Sequence, residues 1–144
     1  MVQKGRLGEA REQVTQVLAR ARELDPDMVG LVHGWSIQLC RLAADHEEAS
    51  VHARAVAAAL TNTMVTPFRE VMVLLSLGTA HLLHEQREEA VATFERALGM
   101  CRNVRTAINA EVLLLLGLAD AQLGAGKVST GLALAQEAVA LAEK

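Results

Sequence analysis

The residues best suited to chemistry are His81, His84 and Glu85. One helical turn separates His81 from both others, so two imidazoles and a carboxylate share a helix face, a donor set that suits a transition metal. A structural zinc site takes a fourth protein ligand, and no nearby residue supplies one by spacing. The plainer role is that His81 packs as a ring inside the protein while His84 sits at a helix C-terminus, where the dipole favours it. On that balance no metal site and no cofactor is expected. His33, His46 and His52 show no ligand spacing and read as ordinary partly buried or surface residues. Glu47-Glu48 and Glu88-Glu89 fall where helices should begin, so they complement the positive dipole end and stay solvated, away from any cleft that acid–base work would need. Gly124-Ala125-Gly126-Lys127 lacks the preceding strand and the Gly-x-x-x-x-Gly-Lys-Ser/Thr spacing of a phosphate loop, and reads as a helix-ending turn. No Ser, Thr or Cys has a base at a defensible spacing. The chain is expected not to be an enzyme.

The elements that carry these residues follow from composition. Of 144 residues, 51% are hydrophobic and only 2% aromatic, with one Trp, two Phe and no Tyr. A core rich in Ala and Leu and poor in rings is built from closely packed helices, because β-branched and aromatic residues are what favour strands. Lys and Arg total 14 against 17 Asp and Glu, for a formal charge of −3, and no long run of one sign occurs. Neither nucleic acid nor an anionic membrane surface is an expected partner. The uncharged stretch 71–84 is shorter than the roughly 20 residues a spanning helix needs. Residues 1–20 carry too many charges for a signal peptide. Cys40 and Cys101 make no CxxC and read as small buried side chains of a reducing, cytoplasmic protein.

Apolar spacing predicts about seven helices. The first covers residues 6–24, with Leu7, Ala10, Val14, Val17, Leu18 and Ala21 on one face. Asp25-Pro26-Asp27 stops it and caps the second, residues 27–43, with Leu31, Trp35, Leu39 and Leu42 inward. Trp35 is expected to fill the core. A third helix, 47–60, ends at Thr61-Asn62-Thr63, and Thr66-Pro67 caps a fourth, 67–84. The fifth, 88–101, is closed by Arg102-Asn103, the sixth covers 104–123, and the seventh 128–142. Short connections make successive helices antiparallel neighbours, as hairpins 27–60, 67–101 and 104–142 behind the lone leading helix.

A small residue early in the second helix of each pair recurs at Ala10, Ala49, Ala90 and Gly131, in steps of 39, 41 and 41 residues. Such a period is the mark of an α-solenoid, in which each pair buries its face against the next. The unit 71–98 resembles a tetratricopeptide repeat through Leu74, Leu77-Gly78, Ala90, Phe94 and Ala97-Leu98, with His81 where that family has an aromatic residue. Looser copies run through Leu115, Leu118-Ala119, Gly131, Ala135 and Ala138-Val139, through Ala49, Ala53 and Val56-Ala57, and through Ala10, Val14 and Val17-Leu18. The longer period and the Ala-Leu texture are also similar to C-terminal helical arrays of bacterial multidomain signalling ATPases, adenylate cyclases and related regulators. The resemblance implies a right-handed all-α solenoid that binds or scaffolds, without catalysis, as the regulatory arm of a larger protein. Leu77, Gly78, Ala90, Phe94 and Ala97 would be its repeat-packing residues.

In such solenoids the first helix of each pair lines a concave groove. The corresponding positions are Met72, Leu75, Thr79 and Leu82, then Leu113, Leu116, Asp120 and Leu123. None is basic, so the family's clamp for a peptide carboxylate is absent. Met72, Leu75, Leu113 and Leu116 form an apolar strip that is either an open groove for an amphipathic helix or neighbouring domain, or the core of a tightly wound superhelix. A sensor pocket for a small molecule or signal peptide is the second functional expectation. At the two ends, Val14, Val17 and Leu18, and Leu134, Leu141 and Ala142, would face missing repeats, which implies a piece of a longer protein or a homo-oligomer that covers its ends.

Overall fold

A computed structural model describes residues 2–25, 28–61 and 66–143, and among these every regular element is helical. The helices are α1 (Val2–Leu24), α2 (Val29–Ala43), α3 (His46–Ala59), α4 (Pro67–Leu83), α5 (Arg87–Val104), α6 (Ile108–Gly124) and α7 (Val128–Ala142). Thr66 opens α4 as the spacing predicts: its hydroxyl accepts from the Arg69 amide at 3.4 Å, and Pro67 occupies the first turn, where its missing N–H leaves no bond unmade. Asp45 does the same for α3, accepting from the Glu48 amide at 3.1 Å. Pro26, Asp27, Asn62 and Thr63 lie outside the described residues.

Three boundaries differ from the sequence reading: α1 begins at Val2 instead of Arg6, α2 begins at Val29 with Met28 at its N-cap and no side-chain cap bond, and the α5–α6 junction is shifted. Arg102 and Asn103 do not close α5, which continues to Val104, and α6 begins at Ile108 instead of 104. The stop is made by Arg105 and Ala107, both left-handed at φ 50° and 51° without being glycine. The Cys101 thiol supports that turn by donating to the Thr106 carbonyl at 3.0 Å. A turn formed by residues that disfavour its conformation leaves no compositional trace.

Each helix packs on the next in the chain; in addition α2 packs on α4, and α4 on α6. Helices α2 and α4 run parallel with an offset of 41 residues: the Gln38 amide donates to the Thr79 hydroxyl at 3.1 Å, and the Arg69 guanidinium approaches the Met28 sulfur at 3.8 Å. Small residues permit this closeness. A Cβ on Gly30 would lie 2.8 Å from that of Ala59, and one on Gly34 would collide with Ser76. The packed face of α2 is therefore the one carrying Gly30, Gly34 and Ile37. Trp35 and Leu42, expected inside, are rotated out of the core and stand 49% and 64% exposed. At the far end Leu134 and Leu141 pack against the main core, whereas Val128, Leu132 and Val139 are the exposed apolar residues of α7. Among the end residues of α1, Val17 is exposed and Val14 and Leu18 are half-buried.

The main core gathers Val71, Leu74, Leu75, Ala90, Phe94, Ala97, Leu98, Leu114, Leu115 and Leu118 from α4, α5 and α6. Phe94 is 1% exposed and lies between two glycines of the flanking helices. A Cβ added to Gly78 would stand 2.5 Å from its ring, and one added to Gly117 2.6 Å away. Of the expected repeat-packing residues, Gly78, Ala90, Phe94 and Ala97 are buried here, and Leu77 lies half-buried at the edge of a second cluster with Leu31, Ile37, Val56 and Val73. Gly99, by contrast, has nothing within 4 Å of where its Cβ would be. Gly78→Ala should therefore lower stability by about 1–3 kcal/mol through overpacking, and Gly99→Ala should raise it by about 0.5–1 kcal/mol through helix propensity. Urea unfolding of both variants checks this; midpoints that move the same way would contradict the placement of the ring.

Candidate functional site

The parallel helices α2, α4 and α6 leave a groove between them. It encloses about 480 Å³ and is walled by Trp35, Gln38 and Arg41 from α2, Met72, Leu75 and Thr79 from α4, and Leu113, Leu116 and Asp120 from α6. Its volume falls within the range of small-ligand and peptide-anchor pockets. Of the eight positions that the sequence assigns to the groove, seven line it, Leu82 among them; Leu123 does not, and lies exposed beside Gly131 of α7. The structure also resolves the choice between groove and core residue by residue. Leu75 is 7% exposed and belongs to the floor, as does buried Thr79, while Met72 is half-buried and Leu113 and Leu116 stand 52% and 45% exposed.

Helix α6 shows why. In the run Leu113-Leu114-Leu115-Leu116 the central pair is fully buried beside Phe94 and the outer pair faces the groove, as a 3.6-residue period requires. The groove continues at both ends. Trp35 and Gln38 also line a second hollow with Ala10, Gln13, Val14 and Val17 of α1. Met72 and Leu113 line a third with Phe68, Ile108 and Arg105. One apolar track therefore crosses the faces of α1, α2, α4 and α6.

Polar groups punctuate the track. The Gln38–Thr79 bond crosses its floor, and the Thr79 hydroxyl in turn donates to the Leu75 carbonyl at 2.9 Å, so both are satisfied. Arg41 and Asp120 stand exposed near one end, and Arg105 near the other. Sequence reading missed the α2 wall and found no basic lining residue; Arg41 and Arg105 correct that. The signal was present, since stepping Thr79 and Leu82 back by the 41-residue offset arrives at Gln38 and Arg41.

The histidines are drawn into separate contacts. His81 Nδ1 pairs with Gln86 Oε1 at 2.8 Å, His84 Nε2 with Ser50 Oγ at 2.9 Å, and His46 Nδ1 with the Leu83 carbonyl at 2.6 Å. His84 is the C-cap of α4, and Glu85 follows in a left-handed turn, φ 57°. Among the described residues no three His, Cys, Asp or Glu side chains converge as a metal-binding group. Glu48, expected to be solvated, is half-buried and pairs with Arg11 at 3.0 Å. Both thiols are buried; burial pushes Cys40 up to about 11, with Glu48 adding to the shift, and burial raises Cys101 as well. Neither is an activated nucleophile. None of the helices is long and apolar enough to cross a membrane among the described residues.

Comparison of the chain with family models, curated proteins and solved structures finds no match. The site therefore stands on its own geometry. Because Trp35 contributes to a wall and not to the core, Trp35→Ala should cost less than about 1 kcal/mol, against the roughly 3–5 kcal/mol of a buried aromatic. Chemical unfolding of the variant measures this, and a loss in the larger range would return Trp35 to the interior.

Proposed function

We propose that the chain is a non-catalytic protein-interaction module, a tetratricopeptide-like right-handed solenoid serving as scaffold or regulatory arm, which receives an amphipathic helix along its groove. The observation that carries this reading is the exposure of large apolar side chains, Trp35, Leu113 and Leu116, on one continuous track over a floor that is itself well packed. Contiguous exposed apolar surface on a folded chain marks a place where another surface belongs. The 41-residue register of α2 on α4 supports the repeat reading, because it equals the sequence period. A helical occupant suits the track: apolar residues on one face would lie on Trp35, Met72, Leu113 and Leu116, in the helix-in-groove mode. Arg41 near one end and Arg105 near the other give such a helix a place for acidic residues at its termini.

A synthetic amphipathic helix with leucines on one face and glutamates at both ends is a direct probe, with a scrambled peptide of equal composition as control. The amphipathic peptide should change Trp35 emission saturably and the scrambled one should not. Leu113→Glu together with Leu116→Glu, at exposed positions, should preserve helicity and weaken binding tenfold or more, equivalent to about 1.4 kcal/mol. Equal binding by the scrambled peptide, or by the double variant, would overturn the groove reading.

A further inference from the structure

Two histidines that the groove does not use meet between α2 and α3. His33 and His52 bring their Nδ1 atoms to 2.8 Å, with ring centroids 5.1 Å apart and planes inclined by 45°. His33 is buried and His52 half-buried. At that separation one Nδ1 must carry hydrogen and the other accept it, so neutral rings hold opposite tautomers. One added proton leaves the bond intact, since the accepting Nδ1 stays bare. A second places two N–H donors head to head.

Charged groups from each neighbouring element bear on this pair. From α1, Arg22 acts on His33 and Arg11 on His52. From α3, Glu48 lies 3.8 Å from His52 Nε2 and 3.0 Å from Arg11, while Asp45 holds Arg11 at 3.1 Å. Cys40 of α2 adjoins Glu48 with its thiol neutral. Helix α4 meets this part of α2 through Ser76 against Gly34; beyond it, His84 reaches Ser50 of α3, with the His46 ring in edge contact 6.1 Å away. Glu48 is thus shared: a neutral His52 leaves it to Arg11, and a charged His52 competes for it. Among the described side chains of α1 only Ala21 is buried, so the helix is docked shallowly and a modest electrostatic change can move it.

We propose that the His33–His52 contact is an acid-sensitive latch on α1: uptake of the second proton parts the two rings, draws Glu48 from Arg11 to His52, and releases α1 from α2 and α3. Two new positive charges facing Arg22 and Arg11 act in the same direction. Burial, then His52, then Arg22 hold His33 down to about 4, and burial lowers His52 against the pull of Glu48. The released form takes these protons near the ordinary 6.5, so the latch is intact above that pH and is lost as pH falls from about 6.5 toward 4. Because α1 also walls the hollow beside Trp35, release would open the groove at that end.

Trp35, the single tryptophan, reports on the event. Emission, acrylamide quenching and far-ultraviolet circular dichroism are followed from pH 8 to pH 4. The latch predicts that Trp35 becomes more accessible within that window while most helicity remains, the released fraction growing roughly tenfold per pH unit for each proton taken up. Loss of helicity in step with the tryptophan change would overturn it. So would the same transition in His33→Asn and His52→Gln, because it would then arise outside this pair. Imidazole nitrogen spectra of the unmodified protein provide a reading independent of the variants: opposite tautomers and coupled titration of the two rings are expected, and independent titration of both near the ordinary value would contradict the latch.

Discussion

One phenylalanine ring sets the spacing on which the groove depends. Phe94 projects from α5 into a slot whose two sides are Gly78 of α4 and Gly117 of α6, and nothing larger than hydrogen fits beside the ring at either place. Close packing of this kind does not deform smoothly, so the three helices are held at a spacing fixed by one side chain. The apolar residues of α4 and α6 are then divided by geometry alone. Those turned toward α5 are core, as Leu74, Leu114 and Leu115 are, and those on the opposite side, Leu113 and Leu116, are left uncovered.

The same rule of small residues at contacts governs α2, with a different outcome. Gly30 and Gly34 press against α3 and α4, and this closeness turns the helix so that its largest residue, Trp35, points away from the interior. An indole excluded from the core beside Met72 and Leu116 extends the track that α4 and α6 begin. Helix α1 rests on that edge with little buried surface, through Ala21 and half-buried Val14 and Leu18, and through the ion pairs of Arg11 with Asp45 and Glu48. Packing energy is concentrated around Phe94 and thins toward the leading helix, which is where conformational change would be expected to begin.

Much of this was legible in the residues themselves. Helix periodicity, the Thr66-Pro67 start of α4 and the 41-residue recurrence all express local rules, and local rules survive folding. Seven of the eight expected groove positions on α4 and α6 line the hollow, at a constant 41-residue step such as Leu75 to Leu116, whereas Leu123 turns to Gly131 instead. What escaped depends on tertiary contact. Hydrophobicity placed Trp35 inside, yet the glycines of α2 rotated the packed face away from it. The turn at Arg105 and Ala107 uses residues that do not favour left-handed backbone, so no glycine announced it. Leu134 and Leu141 were assigned to an open end although they turn inward to the core. His33 and His52, 19 residues apart, meet only because α2 and α3 fold back on one another, and no helical spacing foretells that.

The division of α6 into a locked face and an open face is the claim from which the rest follows, and methyl relaxation by a soluble paramagnetic probe measures it most directly. In protein labelled at leucine methyls, Leu113 and Leu116 should broaden strongly while Leu114 and Leu115 stay sharp. Equal broadening of all four, or protection of all four, would mean that no such division exists and that the groove between α2, α4 and α6 is not there.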